Sequence, residues 1–301
     1  MKKHSLKEWL GATRFWSFPV STMPVLATAA YLFQRGMLPP LWRSLLLLVL
    51  TLLGAVVLHS AGNVLSDWFD YRKGVDSEKA YAVDSLVSGH FTPDEFKRFS
   101  ILLFCCGCVT GIVLMLLCGL QVLWVGLAGV ALTILYSFLK YRALGDIDIF
   151  LIFGVLTVIG TTAVFCGNIV WNAAFVLSIP IGVITVSVLH ANNTIDIDTD
   201  REAGIKTLAM LLGSKTSVAL YQVYMVIPFL WVAGAVMLGA IHPLSLLCLL
   251  AIVPAARNLR HARKFYKGGL TALQGLDQET AKLQLAFSGL LSLGLFIGGL
   301  L

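Results

Sequence analysis

The chain has 301 residues, 58% hydrophobic and only 13% charged, with mean hydropathy +0.85 and formal net charge +6. Soluble domains carry about 25% charged residues, so these values exclude a water-soluble globular fold. Apolar runs of roughly 20 residues, long enough to cross a bilayer, recur along the whole length. The reading is an all-α polytopic membrane bundle, one integral-membrane domain over 1–301. The positive charge reads as topology and contact with membrane lipid; no nucleic-acid partner is expected.

Nine spans are expected, at about 14–34, 41–65, 97–117, 121–139, 147–166, 172–192, 216–239, 243–257 and 279–300. The first is too long for the apolar core of a secretory signal and has no obvious small-residue cleavage site. Pro19, Pro24 and Pro180 fall inside spans, where neighbouring helices can satisfy the freed carbonyls. After span two comes HSAGNVLSDWFDYRKGVD (59–76). Asn63, Asp67 and Asp70 are spaced i, i+4, i+7, so on a helix continuing the span they share one face. His59, one turn above Asn63, reads as a buried, hydrogen-bonded histidine. TPDE (92–95) has the form of a capping box with proline at the first helical position, opening span three. The six cysteines all lie in apolar stretches without a CxxC pair and read as packing residues.

Span four runs out at Tyr136 and Lys140. Span six is followed by HANNTIDIDTDREAGIKTLA (190–209). Here Asn192, Asp196 and Asp200 are spaced i, i+4, i+8, and Asn193 joins the same stripe. Asp198 points off it, into solvent. The basic stretch RNLRHARKFYKG (257–268), after span eight, reads as a membrane-surface anchor.

Lysine and arginine fall at the N-terminus (Lys2, Lys3, Lys7, Arg14) and after spans two, four, six and eight, while the opposite loops hold only Arg35 and Arg43. The positive-inside rule puts the rich side in the cytoplasm. The acids are as uneven: of 16 Asp and Glu, seven lie in 66–98 and four in 193–215. Two carboxylate clusters are therefore expected on one face of the membrane. Like charges one turn apart repel, the more so at low dielectric, so each stripe needs a cation. Oxygen-only donors with amides beside carboxylates suit Mg²⁺, which fills its remaining positions with water and substrate phosphate.

NVLSDWFD (63–70) and NNTIDIDTDREAGIKTLA (192–209) resemble the UbiA superfamily of membrane prenyltransferases. YRKGVD (71–76), LVSG (86–89), LGD (144–146), DREAGIKTLAMLLG (200–213) and ETAKLQL (279–285) are similar, in order, to its 1,4-dihydroxy-2-naphthoate polyprenyltransferase branch and that branch's animal menaquinone-4-forming relatives. The resemblance implies a nine-helix bundle with a central cavity opening sideways to lipid, in the inner (cell) membrane. It implies Mg²⁺-dependent transfer of a polyprenyl group from polyprenyl diphosphate to an aromatic acceptor, giving demethylmenaquinone. By the same likeness Asn63, Asp67 and Asp70 serve one Mg²⁺–diphosphate half-site, and Asn193, Asp196 and Asp200 the other.

Candidates for fixed positive charge at the diphosphate are Lys140 and Lys206, then Lys73 and Arg201. Tyr136, Phe69 and Trp68 are candidates to shield an allyl cation. Asp76 and Asp146 are the only bases the sequence suggests. Two positions depart from the naphthoate branch, Ile195 and Asp84, each standing where that branch carries arginine; the departures bear on the acceptor or on the diphosphate clamp. Other readings are transfer to a 4-hydroxybenzoate or chlorin-type acceptor and, from another class, an ion-coupled transporter. Against a transporter, the acids sit at helix ends, and no matched broken helices are visible.

Overall fold

The computed structural model describes residues 4–74, 84–202 and 204–301. Asp76 and the side chain of Asp84 lie outside the described residues. Among the described residues there is helix and loop and no strand. A short helix α1 (Leu6–Ala12) precedes α2 (Pro19–Gln34), α3 (Leu41–Lys73), α4 (Pro93–Cys118) and α5 (Leu120–Leu139). Then come α6 (Gly145–Cys166), α7 (Trp171–Ile195), α8 (Ser214–Met237), α9 (Pro243–Gly268) and α10 (Leu276–Gly298). Eight of these segments, α3 to α10, are long and apolar enough to cross a membrane, and the protein is a multi-pass membrane protein.

The first expected span is shorter than its hydropathy suggested. Arg14 adopts a left-handed conformation (φ 55°), a 3₁₀ turn Phe15–Ser17 follows, and only then does α2 begin, with Pro19 at its first turn. Proline pre-sets that turn but restricts the residue before it, so 14–18 form a bent entry and leave a 16-residue helix. Conversely, α3 has 33 residues, about 50 Å at 1.5 Å per residue, against a hydrocarbon core of about 30 Å. Its last turns therefore project from the apolar layer, carrying Asn63, Asp67 and Asp70. The helix stops at Gly74 (φ 68°), with Arg72 and Lys73 in the last turn, where cations favour the C-terminal dipole.

The capping box at Thr92 forms with Glu95 as expected. Helix α8 breaks around Met225 and Val226, just before Pro228, and α9 opens with a 3₁₀ stretch, Pro243–Ala251, before running on to Gly268. In α6 the segment Phe150–Leu156 is π-helical. It faces α7 across Gly154 and Gly182, where a Cβ added to Gly154 would fall 2.8 Å from the Gly182 Cα. Only glycines permit that approach.

Helix α7 is the central element. Of its most apolar stretch 72% is buried by protein, against 11% for those of α3, α4 and α5. The outward faces of those three are left for lipid. Leu177, Ile181 and Ile184 of α7 join Leu32, Tyr221 and Phe287 in the main core. A small second core of Ala12, Val64, Leu86, Phe91 and Phe96 packs α1 against the ends of α3 and α4. All six cysteines are unpaired.

Candidate active site

Helix α3 delivers the first acidic cluster. Asp67 is buried and forms an ion pair with Arg14, whose left-handed backbone turns the chain between α1 and α2. Asp70, one turn on, accepts from Lys140 Nζ at 2.5 Å and from the Tyr141 hydroxyl. Lys140 also donates to Ser66 Oγ at 2.7 Å. Asn63 serves the architecture instead, since its amide donates to the Thr13 carbonyl (3.0 Å) and to Ser17 Oγ (3.3 Å). Asp67 and Asp70 thus lie one turn apart beside Arg14 and Lys140, and Asn63 anchors the N-terminal entry. His59 hydrogen-bonds to Ser21 and Ser17.

The second cluster is not one continuous stripe. Helix α7 ends at Ile195, Asp196 is its C-cap, and a short helix Ile197–Glu202 restarts the chain. Asn192 donates to Asp196 at 2.9 Å. Asn193 does not join them; its amide faces Asp146 at 3.4 Å. Both asparagines lie in the last turn of α7, where adjacent residues point about 100° apart, so only one shares a face with Asp196. Asp198 is exposed and pairs with Arg201, which takes Arg201 out of the candidate anion site. Lys206 is exposed, and its carbonyl accepts from the Ala143 amide at 2.7 Å, stitching the second acidic loop to the end of α5.

The two clusters meet. Burial pushes the Asp200 carboxyl up to about 7, Asp196 and Asp70 push the same way, and Lys140 opposes them. Asp196 is raised by burial and by Asp277 at the start of α10, against the Asn192 amide. So Asp200, from the segment after α7, shares a field with Asp70 of α3 and with Lys140, which directly follows α5.

Below this end lies a cavity of ≈ 250 Å³ between α2, α3, α4, α5 and α6. His59 and Asn63 of α3 and Tyr136 of α5 line it, Asn63 one turn before Asp67 and Tyr136 one turn before Lys140. Its walls are apolar and rich in glycine. At Gly111, Gly126 and Gly129 an added Cβ would meet nothing within 4 Å, so missing side chains create the space. Tyr136 lines the cavity, with Lys140 Nζ 5.8 Å from its ring centre. Trp68 and Phe69 do not line it. They meet edge to face, Phe69 also meets Phe138 edge to face, and Trp68 lies beneath Arg72 and Lys97. Phe153 lines the cavity wall instead. Lys73 sits 3.7 Å over the Tyr141 ring.

Several residues were invisible to the sequence argument. Arg14 reads in the sequence only as one of the N-terminal positive charges, and nothing there singles out Tyr141 or Asp277. Asp146, a candidate base, is buried in a pair with His190 (2.7 Å). Asp148 is 1% exposed, and neither carboxylate oxygen has a hydrogen-bond partner among the described residues. Ile195 packs against the main apolar core, so the arginine missing there is missing from a wall of the bundle.

The UbiA prenyltransferase family model matches residues 21–268. UbiA prenyltransferase domain-containing protein 1 of Mus musculus is 34% identical over 292 residues, covering 94% of this chain and 82% of that protein. Its Homo sapiens counterpart is 35% identical over 283 residues, covering 91% and 79%. Among solved structures, the apo form of a UbiA homolog from Aeropyrum pernix K1 superposes with TM-score 0.66 at 16% identity, over 93% of this chain and 97% of that one. A UbiA homolog from Archaeoglobus fulgidus bound to GPP and Mg²⁺ gives 0.60 at 13% identity, over 95% and 99%. The solved structures share the fold, and the animal proteins are similar in sequence over more than nine-tenths of this chain. The chain belongs to the UbiA prenyltransferase family and is a prenyltransferase.

Proposed function

We propose that this single domain, residues 1–301, transfers a polyprenyl group from polyprenyl diphosphate to an aromatic acceptor in the inner (cell) membrane, with its acidic end facing the cytoplasm. The acceptor is 1,4-dihydroxy-2-naphthoate and the product demethylmenaquinone. One observation carries the reading: two acidic clusters from distant parts of the chain converge, with Lys140, over the polar end of an apolar cavity. The A. fulgidus homologs bound to GPP or DMAPP with Mg²⁺ support the donor class. The YRKGVD and DREAGIKTLA stretches support the acceptor.

The residues fit Mg²⁺. Asp67 Oδ2 is buried without a partner among the described residues, and four carboxylates gather with two organic cations among them, an oxygen-only donor set. Asp67, Asp70, Asp196 and Asp200 would hold the metal, with the Asn192 amide beside Asp196; Asn63 and Asn193, the other amides expected there, are engaged by Thr13 and Ser17 and by Asp146. When bound, Mg²⁺ supplies Lewis-acid neutralisation of the departing diphosphate. Lys140 and Arg14 keep fixed positive charge where that negative charge develops. The cavity takes the polyprenyl tail out of water, and the Tyr136 ring, lining it near Lys140, would shield a cationic carbon there. The donor's carbon–oxygen bond breaks, the acceptor ring carbon forms the new carbon–carbon bond, and CO₂ leaves a naphthoate ring. Lys206, being exposed, guides diphosphate toward the site.

The test is a membrane assay with radiolabelled polyprenyl diphosphate, offering 1,4-dihydroxy-2-naphthoate and 4-hydroxybenzoate, with Mg²⁺ or with excess chelator. Mg²⁺-dependent label in the naphthoate product is expected. Preference for 4-hydroxybenzoate overturns the acceptor, and full activity under chelation overturns the metal role.

A further inference from the structure

A second cluster of metal-ligating side chains sits on the same end of the bundle and shares no residue with the first. His4 lies just before α1, Glu8 within it, and His90 on the turn before α4. One ligand atom from each lies within 4.8 Å of the other two. His90 Nε2 is 2.8 Å from Glu8 Oε1. His4 Nε2 is 3.5 Å from Glu95 Oε2, so a second carboxylate borders the cluster.

The donors are already oriented. The backbone amide and hydroxyl of Ser5 hold Glu8 Oε2 at 2.5 and 2.8 Å, leaving Oε1 to face the imidazoles. Phe91 stacks on the His4 ring with centres 3.9 Å apart, and the His4 side chain is only 4% exposed. Thr92 fixes Glu95 in the same way, through its amide at 2.8 Å and hydroxyl at 2.9 Å. Such outer bonds set ligand orientation in metal sites. His90, in contrast, is 44% exposed, which leaves a path for an ion.

We propose that His4, Glu8 and His90 form a zinc site that clips the N-terminal helix to the start of α4. Two imidazoles and a carboxylate, with a fourth position for Glu95 or water, make a donor set suited to Zn²⁺. Mg²⁺, which prefers oxygen ligands, is a poor match. The clip has a structural consequence: α1 leads directly into Thr13, Arg14 and Ser17, which anchor Asn63 and Asp67. Zinc there would steady the segment that braces the first acidic cluster without touching substrate.

The full chain in nanodiscs, with excess Mg²⁺ to fill the oxygen site, is titrated with ZnCl₂ by calorimetry and with Co²⁺ by visible absorption. One zinc per chain is expected, with Co²⁺ giving the intense ligand-field bands of a four-coordinate ion. His90→Ala should weaken Zn²⁺ by roughly 100-fold or more, since one of three or four ligands is lost. Asp196→Ala should leave zinc binding unchanged, because that residue belongs to the other cluster. Zinc should also raise the melting temperature of the wild type and not of His90→Ala. Absence of stoichiometric zinc in the wild type, a six-coordinate cobalt spectrum, equal affinity in His90→Ala, or loss of the site in Asp196→Ala each overturns the proposal.

Discussion

Asp196 and Asp198 are two residues apart, yet one is held by Asn192 in the acidic cluster and the other is exposed beside Arg201. Asp67→Ala and Asp196→Ala should each lower kcat/KM by at least about 100-fold, because each removes charge that stabilises the departing diphosphate. Asp198→Ala should stay within about twofold, since an exposed ion pair contributes little. Equal loss at 196 and 198 would show that the helix break does not separate their roles. Asp148 makes a different case. A buried carboxylate with no partner costs folding free energy. Asp148→Leu, an apolar side chain for a polar one, should raise the melting temperature in nanodiscs at fixed Mg²⁺. A lower melting temperature would mean that the carboxylate is satisfied in the folded protein.

At the scale of elements, α5 sets the depth of the cavity by leaving out side chains. Gly129 lies seven residues from Tyr136, about 10 Å along the helix, and open space surrounds its missing Cβ. Gly129→Phe should therefore block the cavity partway down. Donors with tails longer than about 10 Å should lose at least about tenfold in kcat/KM, while the shortest allylic diphosphates keep theirs. Product chain lengths resolved by mass spectrometry give the answer; an equal loss for every donor would mean the tail takes another route. Helix α3 sets the other end. Its 33 residues outrun the bilayer, so the acids ride on rigid helix instead of loop. The extension was legible in the i, i+4, i+7 spacing. The bent entry at 14–18 was not, because hydropathy averages over a kink.

At the scale of the whole molecule, the site exists only where α3, α5 and the loop after α7 come together. Burial pushes the Asp200 carboxyl up to about 7 from its ordinary value of 3.8. The folded state then holds a proton that the unfolded chain has released, so this group makes stability fall as pH rises from about 4 to about 7. A divalent ion competes with that proton and binds best above the window. Added Mg²⁺ should raise the melting temperature more at pH 8 than at about pH 5.5, and Asp200→Asn should flatten the difference. An Mg²⁺ shift of the same size at both pH values would remove Asp200 from the ligand set.

The sequence by itself determined the class, a helical membrane bundle, and the two acidic stretches on one face. Hydrophobic length and helical spacing are local properties, and charge asymmetry sums over loops without reference to packing. What only the tertiary structure decided is which partner each acid meets. Arg14 reaches Asp67 across 53 positions and Lys140 reaches Asp70 across 70, while Asn193 turns to Asp146 and Trp68 and Phe69 turn away from the cavity. Those outcomes depend on where α7 stops, how α2 enters the bundle and how closely glycines let helices approach. Each is a consequence of packing between segments far apart in the chain, which no local pattern encodes.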